Sequence, residues 1–171
     1  MRNGRKKIDM NFPVLHSQRC QITIATKRDA DWLYALFNDE TVYKYIEGIR
    51  PFAKTIEHTM MFIDYMLDAY IDGRGFLWKL SRQGKPIGFI SVLDFDENPS
   101  LCYALYKSNR NNGLMHEALE SVLLFQNRIE KKTYRCDINA WNFPSISLCK
   151  KLKESFPIYI NTVYKDNFHN L

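Results

Sequence analysis

Residues 103–118 decide the fold, and they read YALYKSNRNNGLMHEA. An apolar strand ends here, a polar loop with one glycine follows, and a long amphipathic helix begins. The backbone N–H groups at a helix start, together with the helix dipole, form a site for an anion. Because Asn111, Asn112 and Gly113 are small or turn-prone, a phosphate could approach the backbone. The alternative interpretation is a tight turn without a ligand.

Apolar periodicity on both sides of this stretch predicts a single α/β domain. The predicted strands are 20–25, 76–81, 87–95, 101–106, 134–140 and 157–163. Four helices are predicted: two that follow the caps Thr26 and Thr55, then 111–129 and 144–153. Short turns between the middle strands predict antiparallel pairing, whereas the later strand–helix–strand unit predicts parallel pairing. We therefore expect a mixed sheet of six to seven strands.

The positive charge of the chain is concentrated at one end. The formal net charge is +5, and residues 1–7 hold four basic and no acidic residues, which leaves 20 basic against 19 acidic residues elsewhere. A nucleic-acid surface needs clustered positive charge over a folded face. We therefore predict a disordered basic tail at 1–10, a domain at 11–171, and no nucleic-acid partner. No apolar run is long enough to span a membrane, so no membrane partner is expected.

Cysteine and histidine spacing gives no sign of a metal or redox site. The four cysteines are widely spaced and lie in apolar stretches, which is typical of buried free thiols in a reducing cytoplasm. No histidine pair has metal-ligand spacing. These cysteines are Cys20, Cys102, Cys136 and Cys149. We expect a cytoplasmic protein without a metal.

The loop resembles the acyl-CoA-binding loop of the GNAT acetyltransferase superfamily, whose pattern is Gln/Arg-x-x-Gly-x-Gly/Ala. Residues 110–115 read RNNGLM. The flanking YAL at 103–105 and EAL at 117–119 are most similar to the branch that contains the ribosomal-protein N-terminal acetyltransferases. Residues 142–149, NFPSISLC, resemble that family's Asn-x-x-Ala/Ser-x-x-Leu-Tyr motif.

This resemblance implies the GNAT fold, with a splayed parallel strand pair at the acyl-CoA site. It implies transfer of acetyl from acetyl-CoA to a primary amine, either a protein N-terminus or a small cationic amine, by direct attack. Unpaired N–H groups near 105–107 would hold the thioester carbonyl, the loop 110–116 would hold the pyrophosphate, and Asn142 and Ser145 would contact the pantetheine arm. The implied cofactor-binding residues are Leu105, Tyr106, Lys107, Arg110, Asn111, Asn112, Gly113, Leu114, Met115, His116, Asn142 and Ser145.

Several positions depart from the family pattern. Met115 stands where Gly or Ala is usual, Ser100 where relatives often carry a glutamate, and Cys149 where many members have a tyrosine as general acid. Cys149 is therefore either the proton donor or a small buried core residue. Asp94 interrupts an apolar run and is the candidate base, acting through water. The departures leave open a catalytically degenerate module that binds acyl-CoA or a peptide.

The acceptor is expected at residues 38–52. The carboxylates of Asp39, Glu40 and Glu47 could attract an ammonium group. The rings of Tyr43 and Tyr45 could contact the same group through cation–π interactions. The alternative is a packed connection with surface charges. The implied partners are acetyl-CoA and this amine, and the protein is expected to be a monomer or a homodimer.

Overall fold

A computed structural model describes residues 12–164, so the tail predicted at 1–10 lies outside the described residues. Seven strands in this described part of the chain form one sheet, and their order in the sheet is their order along the chain. The strands are β1 Val14–His16, β2 Gln21–Ile24, β3 Phe76–Arg82, β4 Lys85–Leu93, β5 Ser100–Leu105, β6 Tyr134–Asn139 and β7 Ile158–Val163. β1 to β5 pair antiparallel, and β5, β6 and β7 pair parallel. The predicted mixed sheet is confirmed.

Within residues 12–164, five α-helices accompany the sheet. They are α1 Ala30–Phe37, α2 Glu40–Tyr43, α3 Ile56–Ile71, α4 Leu114–Ile129 and α5 Phe143–Leu152. The four predicted helices are present, and α2 is an additional single turn in the segment expected to be irregular. Both predicted caps are found. The Thr55 hydroxyl accepts the N–H of His58 at 3.4 Å, and the Thr26 N–H donates to Asp29 Oδ2 at 2.8 Å.

The sheet is buried on both faces. Trp78 and Ile90 pack in the cluster that includes residues of α4 and α5, whereas Leu77 and Phe89 pack with residues of α1 and α3. Successive strand residues point to opposite faces, so a strand covered by helices on both sides is apolar throughout. This accounts for the continuous apolar run of β4. Within residues 12–164, no helix is both long and apolar enough to cross a membrane.

Candidate active site

The parallel strands β5 and β6 separate almost as soon as they meet. Among the described residues they pair at one position, Ser100 with Arg135, where the Arg135 N–H donates to Pro99 O at 2.7 Å. A cleft of about 300 Å³ lies beside the strands. Its walls come from β5, β6, the start of α5, Val163 of β7 and residues 44–48. The splayed pair expected from the family resemblance is therefore present.

Backbone donors point into the gap between the strands. The Tyr106 N–H donates to Ile87 O of β4 at 2.9 Å, and alternate residues of an antiparallel strand turn their N–H groups to opposite neighbours. The register of β5 with β4 therefore turns the N–H groups of Tyr103 and Leu105 toward β6. Since the described pairing with β6 ends at Ser100, these two groups are available to a ligand. The expectation of an unpaired N–H at Tyr106 is wrong, because that N–H is used within the sheet.

The loop after β5 leads to the start of α4. Asn111 and Gly113 both have positive φ, 61° and 82°, and Gly113 is the residue that caps α4. The Arg110 Nε donates to Leu105 O at 2.8 Å, which holds the loop against the end of β5. Met115 is 8% exposed and belongs to the core cluster. Its side chain therefore packs beneath α4 and does not cover the loop.

Arg19 is a site residue that the sequence did not reveal. Its guanidinium donates to Asn112 O at 2.6 Å and, through Nε, to Glu117 Oε1 at 2.8 Å. Arg19 lies between β1 and β2, nearly a hundred residues from the loop. No local pattern marks such a contact, although the lone arginine next to the buried Cys20 could have prompted attention.

A tyrosine and a cysteine meet on the α5 side of the cleft. Tyr103 lines the cleft, and its Oη lies 3.2 Å from Cys149 Sγ and 3.4 Å from Ser145 O. Cys149 has no exposed surface. Burial raises the pKa of Tyr103 well above its usual value, and the charge of a Cys149 thiolate would add to this. A hydrogen bond from the Cys136 thiol lowers the pKa of Cys149 despite burial, and Tyr103 assists.

Of the other predicted cofactor-binding residues, Leu114 is fully buried in the core, and the remaining five lie in three places. Asn142 and Ser145 line the cleft, and the Asn142 side chain also caps α5 by accepting the Ser145 N–H at 3.4 Å. Tyr106 and Lys107 line a separate groove of about 880 Å³ beside the β3–β4 turn. His116 is in the first turn of α4, where its Nδ1 lies 3.4 Å from Glu120 Oε2.

The acidic candidates are not all at the cleft. Glu47 and Asp137 line it, and sequence reasoning missed Asp137, whose Oδ2 accepts from Arg135 Nε at 3.0 Å. Asp94 is exposed in the turn after β4, with φ 53°, and is not among the residues that line the cleft. Its role as base stays a prediction. Asp39 caps α2 by accepting the Thr41 N–H at 2.8 Å.

The aromatic side chains proposed for the acceptor already have cationic neighbours. The guanidinium of Arg50 lies 4.8 Å from the ring centre of Tyr43, and the Lys44 ammonium lies 4.7 Å from that of Tyr45. Tyr45 lines the cleft, whereas Tyr43 does not. Of the five residues expected to hold the acceptor, the structure brings only Glu47 and Tyr45 to the cleft.

The cleft and loop fit an acyl-CoA. A narrow gap with two backbone donors suits an amide-containing pantetheine arm. The strand β5 that borders this gap leads into the loop before α4, which begins after Gly113 at φ 82°, and the N-terminus of a helix suits a pyrophosphate.

Comparison with known proteins agrees with this geometry. Residues 19–153 match the family model described as an acetyltransferase (GNAT) domain. An uncharacterised N-acetyltransferase of Bacillus subtilis, YoaA, is 24% identical over 119 residues, or 67% of this chain and 66% of that protein. The match therefore spans just under two thirds of that relative.

Solved structures share the fold. RimL, a ribosomal L7/L12 alpha-N-protein acetyltransferase in complex with coenzyme A, superposes with a TM-score of 0.72 at 13% identity, covering 81% of this chain and 82% of that one. The Salmonella typhimurium acetyltransferase that modifies the N-terminal serine of L7/L12 superposes with a TM-score of 0.71 at 14% identity, covering 89% of this chain and 94% of that one. Because the family model covers most of the chain and the fold agrees, this chain belongs to the GNAT family of acetyltransferases, whose co-substrate is acetyl-CoA.

Proposed function

We propose that the protein transfers the acetyl group of acetyl-CoA to a primary amine, either a protein N-terminus or a small cationic amine. The observation that carries this proposal is the continuity between two features. The N–H groups of Tyr103 and Leu105 face the gap beside β6, and the same strand runs into the Gly113 loop at the start of α4. One ligand with an amide arm and a pyrophosphate would use both.

In this proposal the loop residues 110–116 hold the pyrophosphate, and Asn142 and Ser145 contact the pantetheine arm. The Leu105 N–H, at the end of β5 nearest the loop, and the Tyr103 N–H are the candidates for the thioester carbonyl. Backbone donors fixed before the reaction stabilise the oxyanion without reorganisation and can contribute a few kcal/mol. Tyr106 is not a candidate for the thioester carbonyl, since its N–H is taken by Ile87 O and its hydroxyl donates to Trp32 O.

Direct attack by the amine is favoured over an acyl-enzyme. Among the described residues, Cys102 and Cys136 are the thiols that line the cleft, and Cys102 is the more accessible because Cys136 is buried. Burial raises the pKa of Cys102 to about 12, so the thiolate that would act as nucleophile is scarce at neutral pH. Incubation with acetyl-CoA in the absence of an amine should leave the protein mass unchanged. A stable gain of one acetyl group on Cys102 would overturn direct attack.

The second candidate is an acyl-CoA-binding or peptide-binding module without turnover, favoured by the cysteine at position 149. The argument for this module from Met115 weakens, because the Met115 side chain is buried in the core. Two measurements separate the candidates: calorimetric titration with acetyl-CoA, and chromatographic detection of released CoA across a panel of amines and N-terminal peptides. Binding together with CoA release supports the transferase. Binding without release from any amine supports the acyl-CoA-binding module, and no binding of acetyl-CoA contradicts both the transferase and that module and leaves only the peptide-binding form.

The remaining expectations stay proposals. We propose a cytoplasmic protein, monomeric or homodimeric, that does not act on nucleic acid. The near balance of charge outside residues 1–7 supports the last point. Deleting residues 1–7 should remove any DNA or RNA retention seen at low salt.

A further inference from the structure

The family's tyrosine is absent from α5, yet a tyrosine hydroxyl occupies the same neighbourhood from another element. Tyr103 reaches from β5 toward α5, and its Oη lies 3.2 Å from Cys149 Sγ, the position where the family resemblance places a general acid. The carbonyl of Ser145, one turn earlier on α5, lies 3.4 Å from the same oxygen. Two groups on one face of α5 therefore fix the hydroxyl.

We propose that Tyr103 donates the proton to the departing CoA thiolate, and that Cys149 acts as a positioning residue which holds the Tyr103 hydroxyl. This inference rests on the proposed transferase function and replaces Cys149 as the direct donor. Tyr103 lines the cleft, whereas Cys149 is 0% exposed and is not among the cleft-lining residues. Because Cys149 has no exposed surface, its thiol cannot contact the CoA sulfur unless residues of the cleft wall move.

The step balances without a further reagent. The amine nitrogen forms the new C–N bond, the C–S bond breaks, and its electron pair stays on sulfur. The proton of Tyr103 Oη passes to that sulfur and gives the CoA thiol. The acetylated nitrogen must lose a proton, and this proton returns to the tyrosinate through water in the cleft. While Tyr103 is negative, the Cys149 S–H can donate to its oxygen.

The environment of Tyr103 suits this role. Burial raises its pKa well above the usual value, so the hydroxyl keeps its proton across the neutral and mildly alkaline range. The same exclusion of water disfavours a bare thiolate, so a thiolate that departs into the cleft needs a proton donor within reach.

The test removes one hydroxyl and keeps the ring. Tyr103→Phe should lower kcat for CoA release about 10²-fold, the lower end for general acid catalysis, with acetyl-CoA affinity within about twofold of the parent. The matched control is Tyr134→Phe. Tyr134 lies on the neighbouring strand β6, and its hydroxyl is buried without a hydrogen-bond partner among the described residues. The control should leave kcat unchanged.

A double-mutant cycle tests the role of Cys149. Cys149→Ala should lower kcat several-fold in the parent but have almost no further effect in Tyr103→Phe, because the group that it positions is gone. Cys149→Ser keeps a hydrogen-bonding side chain and should restore much of the rate. A Cys149→Ala loss that persists undiminished in Tyr103→Phe would make Cys149 an independent donor and overturn the proposal.

Failure of the parent function gives a different result. If the parent binds acetyl-CoA but releases no CoA with any amine, the transferase proposal and this inference fall together. If the parent turns over and Tyr103→Phe, folded by its melting curve, matches it in kcat, only this inference is overturned. Loss of acetyl-CoA binding in Tyr103→Phe would assign Tyr103 to binding and also contradict the proposal.

Discussion

The guanidinium of Arg19 joins the Glu117 carboxylate of α4 to the main-chain carbonyl of Asn112. It donates to Asn112 O at 2.6 Å and through Nε to Glu117 Oε1 at 2.8 Å. The β1–β2 hairpin is thereby tied to both sides of the Gly113 loop. The positive charge also lies beside the proposed pyrophosphate position, where it adds to the helix dipole.

We expect Arg19→Ala to weaken acetyl-CoA binding more than it affects folding. The side chain is partly exposed, so its ion pair adds little to stability, but its loss frees the loop and removes a cation near the phosphates. The dissociation constant should rise about five- to tenfold, or about 1 kcal/mol, in calorimetric titration. Arg74→Ala is the control, because Arg74 makes a similar pair with Asp72 away from the loop. Equal affinities for both variants would contradict this role.

Gly113→Ala should combine a small loss of stability with a larger loss of acetyl-CoA affinity. Its φ is 82°, and a Cβ would lie 3.2 Å from Nη2 of Arg19. A left-handed conformation costs a non-glycine residue about 1 kcal/mol, and the methyl group would press on the Arg19 guanidinium that holds Asn112 O beside the proposed pyrophosphate position.

Gly84→Ala separates these two effects. Gly84 has φ 74° in the β3–β4 turn, and a Cβ there would have nothing within 4 Å. Its melting temperature should fall like that of Gly113→Ala, with acetyl-CoA affinity unchanged. If both variants bind acetyl-CoA like the parent, the loop is not the phosphate site.

The sequence predicted the fold well where periodic burial determines it. β4 reads as continuously apolar because helices cover both faces of the sheet. Thr55 marks the start of α3 because its hydroxyl accepts one of the first N–H groups of that helix. β1 was missed because three residues are too few to show a period. α2 was missed because a single turn of helix, at Glu40–Tyr43, has no apolar stripe of its own.

The candidate site was predicted only where its residues are consecutive. The loop 110–115 carries its own signature, since a positive φ at Gly113 requires a particular residue type. The contacts of Arg19 with Glu117 and of Tyr103 with Cys149 join distant segments, and no spacing in one sequence encodes them. Asp39 was predicted to attract the acceptor amine, but its carboxylate caps α2 and does not line the cleft.

Asp29 should make stability depend on pH in the acidic range. Burial opposes its ionisation, but hydrogen bonds from Lys79, Thr26 and Trp32 outweigh burial and lower its pKa. The Lys79 ammonium lies 2.9 Å from its Oδ1. A carboxyl whose folded pKa is depressed stabilises the protein above its unfolded pKa, near 3.8, and the contribution is lost as the pH falls through the folded value.

Asp29→Asn should therefore lower the free energy of unfolding at pH 7 by about 2 kcal/mol, measured by urea denaturation. The difference in the free energy of unfolding between the parent and Asp29→Asn should decrease as the pH falls below about 4. Asp72→Asn, which removes the carboxylate of an exposed pair with Arg74, should cost less than about 0.5 kcal/mol. A gap for Asp29→Asn that stays constant down to pH 3 would show that charge is not the source of its effect.

Glu47 is the residue through which we expect the acceptor to be recognised. It lines the cleft opposite β5 and β6 and is only half-exposed, so its charge is less screened than that of a surface residue. Glu47→Gln should raise the KM of a cationic amine about three- to tenfold, with acetyl-CoA affinity unchanged, and added salt should diminish the difference.

Glu40→Gln removes the same charge from an exposed position in the same segment, outside the cleft, and should leave KM unchanged. Asp39→Asn should also leave KM unchanged, because asparagine caps a helix as well as aspartate. An equal rise in KM for Glu40→Gln and Glu47→Gln would indicate a general charge effect, and an anionic acceptor would exclude Glu47 from its recognition.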